Sequence, residues 1–262
     1  MDNRPIGIFD SGIGGTSIWG EIKELLPYEN SIYLADSKNA PYGEKSKERI
    51  LDLSIKNTNF LLDRDCKLIV VACNTATTNA ISYLRENYEV PFIGIEPAIK
   101  PAALNSKSKI VGVLATKGTL SSSLFHSTSK NHAAGITILE QKGTGLVELI
   151  ENGKLQSDEL FKLLKGYIDP MLEKGMDHLV LGCTHYPYLI PILKKMLPAN
   201  IMIIDSGQAV ARQTKTVLEK LALLNASRQL ADYQFYTNGN ENVLSNILQS
   251  SKSKHTVSFL DF

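Results

Sequence analysis

The sequence predicts an α/β protein of two similar doubly wound domains with mainly parallel sheets and an active site in the interdomain cleft. Three observations carry this. Short apolar runs alternate with longer amphipathic segments almost from end to end, the pattern of βα units around a parallel sheet. Two cysteines, Cys73 and Cys183, sit 110 residues apart (183 minus 73), each at the end of a buried strand and before the polar start of a helix or turn. A chain of 262 residues can bury one large core or two small ones, and the repeated cysteine setting favours two.

The expected strands are 6–9, 31–35, 68–72, 92–95, 110–114, 136–139, 178–181, 201–204 and 233–236. The first ends on Asp10-Ser11-Gly12-Ile13-Gly14-Gly15-Thr16, which opens a helix, and the second on Asp36-Ser37 before the turn Ala40-Pro41-Tyr42-Gly43. A helix over 46–63 places Ile50, Leu53, Ile55, Phe60 and Leu61 near one face, with Lys47, Glu48 and Lys56 opposite. Further helices are expected over 157–174 and 208–224, the latter after Asp205-Ser206-Gly207. Pro97 and Pro101 flank a crossing near 96–103. The domain boundaries fall there and near 210. Residues 1–97 plus 210–262 form one domain, carrying Asp10 and Cys73, and 98–209 form the other, carrying Cys183 and His185. In the tail, 250–254 reads as a polar loop before an apolar stretch, 257–262.

Composition narrows the function classes. With 43% apolar and 21% charged residues the chain is an ordinary globular protein, and a net charge of +1 gives no reason to expect nucleic acid or a membrane surface as partner. Three irregularly spaced cysteines do not make a disulfide scaffold, and residues 1–5 lead straight into a short strand rather than a signal peptide. No apolar run approaches the roughly 20 residues that span a bilayer. A cytoplasmic location is expected.

The glycine-rich loop after the first strand offers exposed N–H groups to an anion, or is simply a tight βα turn. It is not a dinucleotide fingerprint, because Ser17 stands where the third glycine belongs, and no Gly-Lys-Ser/Thr follows for a phosphate loop. Asp10 at the strand end is suited to orienting an ammonium or a catalytic group. His185, two residues from Cys183, is a candidate for setting the protonation of that thiol. A Cys, Cys, His metal site lacks a fourth ligand and any Cys-x-x-Cys pair, so no metal is expected. Cys66 and Trp19 read as structural. The thiol pair remains open to three readings: a two-base proton relay, a single nucleophile for acyl transfer, or the lining of an amino-acid-binding module.

Four segments in order carry a resemblance: 7–15, 35–43, Ala72-Cys73-Asn74-Thr75-Ala76-Thr77 and Gly182-Cys183-Thr184-His185-Tyr186-Pro187. Together with 92–98, 112–116 and 204–207, they make the chain resemble the glutamate racemases of the cofactor-independent aspartate/glutamate racemase group over about residues 6–211. Aspartate racemases look different: their first loop lacks the Asp-Ser-Gly pattern, and glutamate commonly stands where this chain has His185. The resemblance implies interconversion of L- and D-glutamate without a cofactor, supplying D-glutamate for peptidoglycan, in a homodimer. It implies that Cys73 acts on D-glutamate with Asp10 in support, and Cys183 on L-glutamate with His185 in support. The auxiliary glutamate of the family matches Glu151, with Glu148 as the alternative. Asn74, Thr75 and Thr184 are then placed for the α-amino and α-carboxylate groups, Ser11, Tyr42 and Gly43 for the side-chain carboxylate, and Thr116 for a further contact. Racemisation needs acid/base groups on both faces of the α-carbon, and thiols near pKa ~8.5 lie within reach of neutral pH.

Overall fold

A computed structural model describes residues 2–132, 135–227, 229–249 and 253–262. The strands are β1 Ile6–Asp10, β2 Ser31–Ala35, β3 Leu68–Val71, β4 Phe92–Gly94, β5 Ile110–Ala115, β6 Thr137–Lys142, β7 His178–Gly182, β8 Met202–Ile204, β9 Tyr233–Thr237 and β10 Thr256–Phe259. They form two sheets, a six-stranded one in the order β10-β9-β2-β1-β3-β4 and a four-stranded one in the order β6-β5-β7-β8. Every ladder is parallel.

The strand order repeats. The run β2-β1-β3-β4 in one sheet has the same topology as β6-β5-β7-β8 in the other. In each, the chain first winds outward from one strand and then crosses to its other side, which opens a crevice at the carboxyl ends of β1 and β3, and of β5 and β7. Asp10 and Cys73 lie at the first pair of ends, Thr116 and Cys183 at the second. The two thiols therefore occupy equivalent places in two copies of one topology.

Both faces of each sheet are covered, which is why the strands read as continuous apolar runs. On the first sheet Ile6, Ile8, Leu68 and Val70 face Ile18, Trp19 and Ile22 of the helix Thr16–Leu25 and Val210 and Leu218 of the helix Gly207–Lys220. Phe9, Ile69 and Val71 point the other way, onto the helices Lys47–Leu62 and Asn74–Asn87. On the second sheet Leu179 and Leu181 pack with Leu160, Leu164 and Ile168 of the helix Asp158–Glu173, while Val111, Val113 and Val180 meet Ile99, Ala102 and Phe125 on the opposite face. One apolar cluster runs through both sheets without a break. Trp19 is structural as expected: its ring meets Tyr233 and Phe235 edge-on, with centroids 5.3 and 4.8 Å away, and its Nε1 donates to Ser31 Oγ at 3.0 Å.

The structure departs from the sequence reading in four places. The segment 96–103, read as a crossing, leads into the helix Ile99–Asn105, with Pro101 in its first turn, where the missing N–H has no intrahelical partner to lose. The expected strand 136–139 continues to Lys142, because Glu140, Gln141 and Lys142 pair in register with Val113, Leu114 and Ala115 and an edge strand tolerates polar side chains. The helix over 208–224 stops at Lys220, and Ala222 takes a left-handed conformation with φ 55°. The apolar tail forms β10, which pairs with β9; the polar loop read over 250–254 lies partly outside the described residues. No described helix is long and apolar enough to cross a membrane.

Candidate active site

β1 delivers Asp10 into the crevice fully buried. Its Oδ2 accepts the Gly15 N–H at 2.7 Å and the Thr184 hydroxyl at 3.3 Å, and its Oδ1 accepts Ser11 Oγ at 3.3 Å. Cys73 Sγ donates in turn to Ser11 Oγ at 3.7 Å, so Ser11 stands between the carboxyl and the thiol. Cys73 is also the N-cap of the helix Asn74–Asn87, and its sulfur accepts the Ala76 N–H at 3.4 Å. Burial pushes the Cys73 thiol well above the ordinary cysteine range and the Asp10 charge adds to this, against the Ala76 N–H and the Ser11 hydroxyl. Burial likewise raises the Asp10 carboxyl, opposed by the His185 charge and the Gly15 N–H.

On the facing side, β7 ends at Gly182 and Cys183 Sγ lies 3.8 Å from His185 Nδ1. The other ring nitrogen, Nε2, is 2.5 Å from Glu151 Oε1. Burial works against the imidazolium, but Cys183 and Glu151 beside it outweigh that and raise His185 well above its usual value. A cation there supplies the countercharge for a thiolate on Cys183. Asp10 Oδ2 stands 4.0 Å from His185 Nδ1, which links the two halves of the site. Of the two glutamates the sequence left open, Glu151 reaches the imidazole; Glu148 lines surface recesses on either side.

Cys73 and Cys183 line one cavity together with Ser11, Tyr42, Gly43, Asn74, Thr75, Thr116, Thr184 and His185. Pro41 and Val147 complete its wall from the two sides. Its free volume is about 10 Å³, the space of a single water. Larger grooves exist, one of about 560 Å³ between Phe161 and Tyr188, but none of their walls carries a thiol. Within the cavity, both side-chain amide atoms of Asn74 are buried without a partner, an arrangement that costs free energy unless a ligand supplies one. Thr75 Oγ1 and Thr116 Oγ1 are 2.8 Å apart, across the cleft between the two sheets. The Tyr42 hydroxyl does not face the ligand space as expected: it donates to Asp36 Oδ2 at 2.5 Å, so this loop presents its backbone. Among the described residues no group of three or more His, Cys, Asp and Glu is arranged to hold a metal.

The glycine loop binds anions, but they are the protein's own. Gly15 N–H takes Asp10, and Ile13 N–H takes Glu151 Oε1 at 2.7 Å. None of Gly12, Gly14 and Gly15 has a positive φ. Their lack of a side chain provides clearance instead: a Cβ would overlap the Glu151 carboxylate at Gly12, the His185 ring at Gly14, and Asp10 with Tyr33 at Gly15.

A profile of the Asp/Glu/hydantoin racemase family matches residues 21–214. The chain belongs to this family. Among its members, the glutamate racemase of Herpetosiphon aurantiacus is 44% identical over 239 residues, which cover 91% of this chain and 94% of that one. The crystal structure of Escherichia coli glutamate racemase in complex with L-glutamate and the activator UDP-MurNAc-ala is similar with a TM-score of 0.87 and 35% identity over 98% of both chains. Glutamate racemase from Francisella tularensis in complex with D-glutamate gives a TM-score of 0.84 at 29% identity, over 100% of this chain and 98% of that one.

In this racemase-family chain several supporting residues escaped the sequence reading. Asp36, fully buried, accepts Tyr42 Oη, Asn39 Nδ2 at 2.8 Å and Asn238 Nδ2 at 2.5 Å, and Asn57 Nδ2 donates to Tyr42 Oη at 3.1 Å. The available signal was Ser54, Asn57 and Thr58, three polar residues between Leu53 and Leu61 on the buried side of one helix. Ser37, seen only as part of a turn, donates to Glu151 Oε2 at 2.8 Å.

Proposed function

We propose that the protein interconverts L- and D-glutamate, one thiol removing the α-proton and the other returning a proton to the opposite face. The observation that carries this reading is that Cys73 and Cys183, from equivalent strand ends of two sheets, line one small cavity. The domains on this reading are 1–97 plus 210–262 and 98–209, with the substrate between them. Cys183, with His185 and Glu151, takes the proton from L-glutamate; Cys73, with Ser11 and Asp10, takes it from D-glutamate.

The two sides are prepared differently. His185 brings a cation to Cys183, whereas burial keeps Cys73 protonated. A substrate ammonium entering near Asn74 and Thr184 offsets the burial cost of charge on either sulfur. The carbanion is stabilised by the retained ammonium and by donors around the α-carboxylate, with Asn74 and Thr75 on one side and Thr184 on the other. Backbone N–H groups of Tyr42 and Gly43, with Ser11, take the distal carboxylate, and Thr116 supports Thr75. Kinship supports D-glutamate supply for peptidoglycan as the cellular role, in the cytoplasm and as a homodimer.

Incubation with L-glutamate in D₂O, without added cofactor, should give loss of optical rotation and deuterium at the α-carbon of the D product. Neither change appearing would sink the reading. Cys73→Ser and Cys183→Ser should each reduce racemisation below about 1% of wild type, since a hydroxyl is a far weaker acid than a thiol. Undiminished turnover in either variant would refute the two-base assignment.

A further inference from the structure

We infer that Ser37 is a positioning residue: with the Ile13 N–H, its hydroxyl holds the Glu151 carboxylate against His185 across the cleft, so that the imidazole beside Cys183 is set only when the loops of the first sheet close onto the second. This rests on the racemase reading above. Glu151 ends the helix Leu146–Glu151, on the side of the four-stranded sheet. Ile13 follows β1 and Ser37 follows β2, both on the six-stranded sheet. The carboxylate is thus a bridge. Oε1 meets His185 Nε2 at 2.5 Å and Ile13 N–H at 2.7 Å, while Oε2 accepts Ser37 Oγ at 2.8 Å.

Each oxygen has a separate task. The Oε1 bonds place the charge, and the Oε2 bond fixes the rotation of the carboxylate plane, which a single anchored oxygen leaves free. Ser37 is itself immobilised. It opens the 3-10 turn Ser37–Asn39 on buried Asp36, the next residue's N–H donates to Asn238 Oδ1 at 2.9 Å, and a Cβ on Gly239 would lie 2.6 Å from the Ser37 Cβ. Opening the cleft removes Ile13 and Ser37 together, and Glu151 then loses its hold on His185. Proton transfer at Cys183 is thereby tied to the closed, water-excluding state.

The titratable groups facing His185 are Asp10 after β1, Glu151 on its helix and Cys183 after β7, with the phenols of Tyr33 and Tyr188 behind Asp10 and Glu151. Only Glu151 is addressed by Ser37. The test compares Ser37→Ala and Ser37→Thr, alone and combined with Glu151→Gln, by polarimetry with both enantiomers between about pH 6 and pH 10. Ser37→Ala should lower kcat about tenfold with KM within about twofold, the loss of one hydrogen bond to a charged group. Its alkaline limb should move to lower pH, because a loosened countercharge favours the imidazolium less. Ser37→Thr should recover wild-type kcat within about twofold, and Ser37→Ala should add nothing further in the Glu151→Gln background. A Ser37→Ala enzyme with wild-type kcat, an unshifted alkaline limb, or an undiminished loss on top of Glu151→Gln overturns the inference. A wild-type protein that does not racemise glutamate removes the reading beneath it instead.

Discussion

Replacing Gly14 by alanine separates two explanations of the glycine-rich loop. If the glycine served backbone freedom, alanine would be strained by its φ; Gly14 does not have a positive φ, so alanine can take the same backbone. Through the unfolded state that change is worth about 0.4–1 kcal/mol of stabilisation. In the fold, the new Cβ would lie 2.2 Å from His185 Nδ1 and 2.5 Å from its Cγ, at least about 1 Å inside an ordinary carbon contact of ~3.5–4.0 Å. The ring cannot retreat freely, because Cys183 and Glu151 hold its two nitrogens at 3.8 and 2.5 Å. Overpacking of this kind costs about 1–3 kcal/mol, which leaves a net loss of at most about 2.5 kcal/mol and a fall in Tm of no more than about 10 °C. Catalysis suffers more, since a misplacement of about 1 Å in a catalytic group costs on the order of 100-fold. Deuterium incorporation from D₂O reads the rate and thermal unfolding reads the fold. Gly20→Ala is the control: nothing lies within 4 Å of a Cβ there, on the helix Thr16–Leu25, so it should keep full activity. A folded Gly14→Ala enzyme turning over within about threefold of wild type would refute the clearance argument.

Stability should fall from neutral to alkaline pH. The folded values of His185 and Cys73 both lie well above their unfolded ones, so the folded state holds protons that the unfolded chain releases. The His185 contribution is full below about pH 6.5 and is lost as pH climbs through its raised folded value; that of Cys73 is full below about pH 8.5 and lost in the same direction. Urea unfolding at rising pH measures this, and stability that increases over the range contradicts it. For Cys66, burial pushes the thiol up to about 12, so alkylation at pH 8 should spare it in the native protein and reach it only in denaturant. Rapid native labelling at Cys66 would show that the core around it opens.

The strand positions and the thiol pair were readable because both follow from local rules. Buried parallel strands are continuous apolar runs, and a polar residue at the end of each marks the carboxyl edge. The tail failed that rule: Thr256–Phe259 pairs at a sheet edge with Phe259 exposed, so its pattern alternates and needed β9 beside it to become a strand. Pro101 looked like a break because proline's cost depends on its position in a helix, and the helix start was not marked by a capping side chain. In the site, the contacts of Ser37, which lies inside the segment 35–43, and of Asn57 and Asn238 were not legible in the sequence. Their partners lie 114, 15 and 202 residues away, distances at which no periodicity or motif reports contact. The glycines were noticed for the wrong reason. A sequence shows that side chains are absent from a loop, but only the folded chain shows which side chains from elsewhere occupy the space.

On the two-thiol reading proposed above, a cavity that takes one sulfur from each sheet gives the enzyme a memory of its last substrate. Each turnover ends with the proton moved from one sulfur to the other, so an enzyme that has just released D-glutamate is armed for D-glutamate and not for L. Restoring the starting pattern takes either the reverse reaction or proton exchange with bulk solvent. Two forms of free enzyme therefore circulate, one for each hand. When a single enantiomer is abundant, its matching form is depleted, and the rate comes to depend on the re-arming of the empty site as well as on the chemistry at the α-carbon.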